Sequence, residues 1–521
     1  MRESGILMPV SSLPGPYGIG CFGAEAVKFV DFLAAAGQRI WQILPLSPTG
    51  YGDSPYQSCS AFAGNPYFID LEALQEDGLL SKDQLEEADF GEDPCVVDYG
   101  ALYNTRYELL REAYAAWRAG CVGIHGCSVY YPDDYYAFTL THEDWLEDYA
   151  LYMALKVGHE MKPWTQWPEE YRLRDKAALE RYAAEHQEEV GFWKFLQYKF
   201  SQQWSKLKAY ANAKGIQILG DMPIYVSADS VDAWSGGSLF ELDGEGKFAR
   251  VAGCPPDYFS ADGQLWGNPL YDWDYHRKTG FAWWIKRVRY AASIYDLVRI
   301  DHFRGFDTYW AIPAASPTAK TGRWEQGPGM ELFRALEEAL GKLPIIAEDL
   351  GDLTDSVRQL LADSGFPGMK VLQFAFGGGD NEYLPYNHIK NCVVYPGTHD
   401  NTTLNDWWET TATKKEKMNA AAYLHMTASV KPTAAQVAAV KPDQARLALI
   451  RAALSSPADR AIIPLYDWLG LGAEAHLNTP GRLGGNWAWR AEEGFATAAL
   501  AKQIRQECEV SCRTRDNLLA E

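Results

Sequence analysis

At 521 residues, with 47% hydrophobic and 22% charged positions, the chain has room for a large core and reads as globular rather than disordered. A formal charge of −21 argues against nucleic acid and anionic membranes as partners, since both demand a basic surface. Length alone permits roughly two to four ordinary domains, or one large α/β barrel with insertions.

The opening "MRESGILMPVSSLPGPYGIG" carries an apolar run of only a few residues, broken by prolines, so no signal peptide is expected. No uncharged apolar stretch approaches the roughly 18 residues needed to span a bilayer. The nine cysteines (Cys21, Cys59, Cys95, Cys121, Cys127, Cys254, Cys392, Cys508 and Cys512) are scattered, odd in number and without a CxxC pair. Free thiols in a reducing cytoplasm are the expectation. Cys508 and Cys512 lack a companion His, so no metal site is expected there.

Short apolar runs then recur: "IWQILPL" (40–46), "PYFIDL" (66–71), "IQILGDMPIYV" (216–226), "DLVRID" (296–301), "PIIAED" (344–349), "MKVLQFAF" (369–376), "CVVYPGTHD" (392–400) and "AIIPLYDW" (461–468). Between most of them lie segments with apolar residues at three- and four-residue steps, such as 24–39, 282–294, 329–342 and 353–365, several followed by Gly. Eight buried strands alternating with helices predict a single parallel (β/α)8 TIM barrel over 1–521. Two stretches hold more chain than a crossover needs. Residues 72–215 predict a mostly helical insertion subdomain, and 401–460 a helical insertion near the active-site mouth. Nothing after residue 490 resembles a C-terminal β-sandwich.

In such barrels reactive residues gather at the C-terminal strand ends. Those ends carry Asp221, Asp301, Glu348 and the pair His399–Asp400. Any one of them alone would read as a helix cap or a surface ion pair. Four at one mouth, with Arg299 sharing a strand face with Asp301, point to a site. Carboxylates without a His/Cys ligand set suit either a divalent metal or glycoside chemistry. Arg299 weighs against the cation and suits the glycoside chemistry, where its fork would hold Asp301 ionised and aimed, lowering its pKa, while Glu348 stays protonated. Three stretches, 50–70, 251–273 and 481–490, place aromatic rings among Gly, Pro, Asn and Asp in apparent loops. Rings beside polar acceptors suit a pyranose, with its C–H face and hydroxyl rim.

"LVRIDHFRG", "IIAEDLG" and "GTHDN" resemble conserved regions of the α-amylase superfamily. "GDSPYQS" with "SAFAGNPYFIDL", "GDMPIYV", "PPDYFSADGQLWGNPLYDW" and "LGLGAEAHLNTPGRLGGNWAWR" extend the likeness, almost end to end, to the amylomaltase or disproportionating-enzyme family of 4-α-glucanotransferases. The resemblance implies a retaining double displacement without metal or organic cofactor, on maltooligosaccharides, starch- or glycogen-derived α-1,4-glucans and glucose, by a monomer or homodimer. It further implies Asp301 as nucleophile, Glu348 as acid/base and Asp400 as transition-state stabiliser. Arg299 and His399 would support them, and Asp221, Trp266, Asp257 and Asn478 would line the cleft. Tyr258 and Phe259 would lie in a loop over the acceptor side, Tyr56 in a facing loop, and Tyr51 at a secondary glucan site. "HDNTTLNDWW" (399–408) departs from the family's usual continuation, so a differently shaped loop is expected after the seventh strand. Hydrolysis uses the same glycosyl-enzyme and is the rival activity. A glucan-binding protein without catalysis would have lost a carboxylate, and none is lost.

Overall fold

The first strand is "ESGIL", Glu3–Leu7 (β1), which the apolar-run pattern did not predict. Gly5 explains why it can lie there: a Cβ at this position would meet the Ile40 carbonyl oxygen at 2.6 Å and Ile462 Cδ1 at 2.8 Å. The short run survives as a strand because both neighbours close on it. The computed structural model describes residues 2–50, 52–121, 130–243, 245–256, 261–351, 353–482 and 484–514.

After β1 come β2 (Ile40–Gln42), β3 (Gln217–Pro223), β4 (Leu297–Asp301), β5 (Ile345–Ala347), β6 (Gly368–Val371), β7 (Cys392–Tyr395) and β8 (Arg460–Pro464). They form one eight-stranded sheet in the order β6-β7-β8-β1-β2-β3-β4-β5, every pair parallel. The seam between β5 and β6 has no ladder; there the Ala347 N–H donates to the Pro367 carbonyl at 2.9 Å. This is the TIM barrel, nearly closed.

"PYFIDL" is not one of its strands. Asn65 accepts the Tyr67 N–H and starts a 3-10 turn over Pro66–Phe68, and Asp70 accepts the Ala73 N–H and starts the helix Leu71–Glu76. Capping side chains at both ends turned a short apolar run into a buried corner, an ambiguity periodicity alone does not resolve.

Between β2 and β3 the chain folds into helices that include Tyr99–Gly120, Asp133–Thr141, Glu143–Gly158, Lys176–Glu185 and Gln187–Ala213. Gln197 ties the last of these to the barrel mouth, accepting from the Gly64 N–H at 2.7 Å and donating to the Gly64 carbonyl at 2.9 Å. Between β7 and β8 lie Leu404–Asp406, a π-turn at Trp407–Thr411, and helices Lys414–Tyr423, Ala434–Ala438 and Pro442–Ser455.

A second sheet was not predicted. Arg250–Cys254, Gln264–Pro269, Thr308–Pro313 and Arg323–Gln326 pair antiparallel at the mouth. Much of 251–273, expected as loop, therefore sits on strands. Its two strands pair with each other, and the sheet continues from Arg250–Cys254 onto Thr308–Pro313, more than forty residues further along the chain, where local sequence carries no trace of the pairing. Among the described residues no helix is long and apolar enough to cross a membrane.

Candidate active site

The register of β3 against β4 sets Asp221 beside Arg299 and Pro223 beside Asp301. Arg299 is buried, and it donates from Nη1 to Asp221 Oδ2 at 2.5 Å and from Nη2 to Asp301 Oδ1 at 2.9 Å. Two carboxylates compensate one buried guanidinium, which otherwise would cost several kcal/mol. Asp301 keeps 29% of its side chain open to the cleft, whereas Asp221 is sealed. One carboxylate anchors and the other faces outward.

His302 follows with φ of 54°, in the left-handed region that non-glycine residues avoid. The turn aims its N–H at Glu348 Oε2, 2.7 Å away, and the Leu350 N–H reaches Oε1 at 2.9 Å. The Glu348 backbone is held as well, its N–H donating to the Ile300 carbonyl and its carbonyl accepting from Phe303. Strain at a strand end is thus spent on orienting a carboxyl group.

Burial pushes Glu348 up to about 7, with the Asp301 charge adding to the rise and Arg299 opposing it. Burial likewise pushes Asp301 up to about 6; Arg299 pulls it down as expected, but desolvation with the like charges of Asp221 and Asp400 outweighs the pull. The expected net lowering of Asp301 is therefore corrected. Asp400 goes the other way: burial would raise it, but His399 and the Asn478 amide hold it well below the usual carboxylate range. Asn478 Nδ2 donates to Asp400 Oδ1 at 2.6 Å, and His399 Nε2 lies 3.3 Å from Asp400 Oδ2. Burial opposes protonation of His399, and the Asp400 charge raises its pKa nonetheless.

Tyr56 joins the two halves. Its hydroxyl donates to Asp221 Oδ2 at 2.8 Å and lies 2.9 Å from His399 Nε2, so a proton on that nitrogen serves both Tyr56 and Asp400. Its ring stacks on His399 with centroids 5.4 Å apart, and Trp487 packs against both. Trp266, on the strand Gln264–Pro269, sets its ring edge-on to His302 at 4.8 Å. Asp221, Arg299, Asp301, Glu348, His399, Asp400, Tyr56, Asn478 and Trp266 thus come together at one mouth. Tyr51, Asp257, Tyr258 and Phe259 lie outside the described residues.

Sequence reasoning missed the residues that hold this set in place. The loop carrying His399–Asp400 is fastened from the short helix Leu465–Leu469, just after β8, by the Tyr466 hydroxyl, which donates to the Thr398 carbonyl at 3.0 Å, and by Asp467 Oδ1, which accepts the Leu404 N–H at 2.8 Å. Gln373 donates to the Thr402 carbonyl at 2.8 Å. Within the departing stretch, Thr403 caps the helix Leu404–Asp406 and Asn405 donates to the Gly470 carbonyl. Trp487 was within reach, lying in an aromatic stretch already singled out; Tyr466 and Asp467 gave no local signal.

An ionisable carboxyl facing a second one kept protonated, beside a third held as an anion, is a set built for displacement at an acetal carbon. A sequence model described as 4-alpha-glucanotransferase matches residues 8–496. The chain is 47% identical over 500 residues to a 4-alpha-glucanotransferase of Clostridium butyricum, covering 95% of this chain and 98% of that one. It is 46% identical over 521 residues to a 4-alpha-glucanotransferase of Streptococcus pneumoniae, covering 99% of both. A solved amylomaltase from Streptococcus agalactiae, in complex with acarbose, superposes with a TM-score of 0.91 at 40% identity, over 99% of this chain and 100% of that one.

Proposed function

The chain belongs to the 4-α-glucanotransferase family, and from that premise we propose that it moves α-1,4-glucan segments by a retaining double displacement with Asp301 and Glu348 as the reacting pair. The observation that carries this reading is their place at the ends of two paired strands, Ile300 lying beside Ala347, with Asp301 reached by Arg299 and Glu348 fixed through His302 and Leu350. An Asp301 carboxylate oxygen attacks the anomeric carbon while the glycosidic C–O bond breaks. Glu348 gives its proton to the departing 4-oxygen. The ester so formed removes the Asp301 charge, which lowers the pKa of Glu348 and readies it as a base. Glu348 then takes the proton of an acceptor 4-hydroxyl, whose oxygen attacks the anomeric carbon and releases Asp301.

Asp400, kept anionic by His399 and Asn478, is placed to accept sugar hydroxyls and to face the positive charge that develops at the anomeric carbon. Tyr56 and Trp266 offer ring faces to the pyranose. Donors are maltooligosaccharides and starch- or glycogen-derived α-1,4-glucans, and acceptors are such glucans or glucose. We read the helices within 72–215 as a subdomain that braces the Tyr56 loop through Gln197, and those within 401–460 as an insertion beside the mouth.

The test is to trap the intermediate. Glu348→Gln treated with α-maltosyl fluoride, whose leaving group needs no proton, is expected to accumulate a maltosyl ester that mass spectrometry places on the peptide holding Asp301. An adduct on another residue, or Asp301→Asn keeping more than about a tenth of wild-type turnover, overturns the assignment.

A further inference from the structure

We propose that Asp349, immediately after the acid/base, is a positioning residue for Glu348 because its side chain supplies the missing hydrogen bonding across the open seam of the barrel. The inference rests on the acid/base reading of Glu348. On the β4 side Glu348 is secured by the Ile300 carbonyl and by the N–H groups of Phe303 and His302. On the β6 side no ladder exists; besides the Ala347–Pro367 bond, the ties that the structure shows run through Asp349. Its Oδ1 accepts the Met369 N–H at 2.5 Å, and Oδ2 lies 3.5 Å from Lys370 Nζ. Its side chain is 2% exposed, so the pairing happens away from solvent.

Gly368 shows that the fold makes room for this contact. A Cβ there would meet both Asp349 carboxylate oxygens and their carbon at 2.7–2.8 Å. The charge is also carried outward in a chain: Lys370 donates to Glu382 at 2.6 Å, and Glu382 accepts from Arg358 at 3.0 Å. A carboxylate buried one residue from the acid/base is thereby kept paired without drawing on Arg299. Without Asp349 the end of β5 would keep only the Ala347–Pro367 bond on the β6 side, and a carboxyl group displaced by about 1 Å costs on the order of a hundredfold in proton transfer.

Asp349→Ala removes the contact, and Gly368→Ala pushes the carboxylate off the seam without changing its chemistry. Each is assayed on maltotriose and on α-maltosyl fluoride with azide, a nucleophile that needs no base. Glu348→Gln runs beside them as the reference. With maltotriose we expect kcat to fall about a hundredfold in Asp349→Ala and at least tenfold in Gly368→Ala, with KM changed less than about threefold. With the fluoride and azide both variants should stay within about threefold of wild type. Equal losses on both substrates would mark a general structural lesion and overturn the proposal, as would retention of wild-type rates on maltotriose. Should Asp349→Ala fail to fold, Gly368→Ala decides alone by the same criteria. If Glu348→Gln itself lost both reactions equally, the acid/base reading beneath the proposal would be the one to fall.

Discussion

Arg299 decides the chemistry at the scale of single residues, because one guanidinium serves two carboxylates of different exposure. In the proposed displacement Asp301 must be ionised to attack and Glu348 protonated to donate. With Asp301 pushed up to about 6 and Glu348 up to about 7, that state is most populated between the two values. The rate, kcat/KM on maltotriose, should therefore trace a narrow bell, falling below about pH 6 as Asp301 gains a proton and above about pH 7 as Glu348 loses its own. In Glu348→Gln with α-maltosyl fluoride the alkaline limb should vanish and the acid limb persist; an unchanged alkaline limb would move the acid role elsewhere. The meeting of Asp301, Glu348 and Asp400 at one mouth was legible because a carboxylate at a strand end is conspicuous in one dimension. Asp349 was not, since its value lies in reaching Met369 across a gap that only the closed sheet defines.

Among elements, the loop after β7 depends on what the helix Leu465–Leu469, just past β8, sends across to it. Tyr466→Phe should remove the bond to the Thr398 carbonyl while keeping the ring against Trp489, for a loss of about 1 kcal/mol in stability and a few-fold drop in kcat. Asp467 yields a sharper forecast. Burial pushes its pKa up to about 7, against an unfolded value of about 3.9. Between those values the folded state holds the proton that the unfolded chain has released, so this group's contribution to stability falls as pH rises from about 4 to 7. Urea denaturation at pH 5 and pH 8 should thus show a smaller stability difference for Asp467→Asn than for wild type; an equal or larger difference would contradict the buried, proton-holding state. Most barrel strands were legible as apolar runs, and the two failures are instructive. "PYFIDL" had the right composition but capping residues at both ends, and "ESGIL" looked too poor in apolar residues until Gly5 let two strands press against it.

For the molecule as a whole, the decisive property is which nucleophile reaches the glycosyl-enzyme. The barrel and its long helical excursion were visible in the spacing of runs, whereas the antiparallel sheet that carries Trp266 was not, because Arg250–Cys254 finds its partner in Thr308–Pro313 across β4. That sheet walls the mouth from one side, and the Tyr56 loop, braced by Gln197, and Trp487 close in from another. An acceptor sugar seated between such rings gains the effective molarity of an intramolecular reaction, which dilute attack by water does not match. Incubation with pure maltotriose reads the outcome directly. Transfer cleaves one α-1,4 bond for each one it makes, so glucose and maltodextrins longer than the trisaccharide should appear together while total reducing equivalents stay nearly flat. Opening the wall should move that balance. In Trp266→Ala we expect reducing equivalents to climb and the longer products to thin, with donor cleavage, followed as maltotriose loss, falling by no more than about tenfold. A variant that lost cleavage and transfer in the same proportion would show that Trp266 binds the donor rather than holding the acceptor against water.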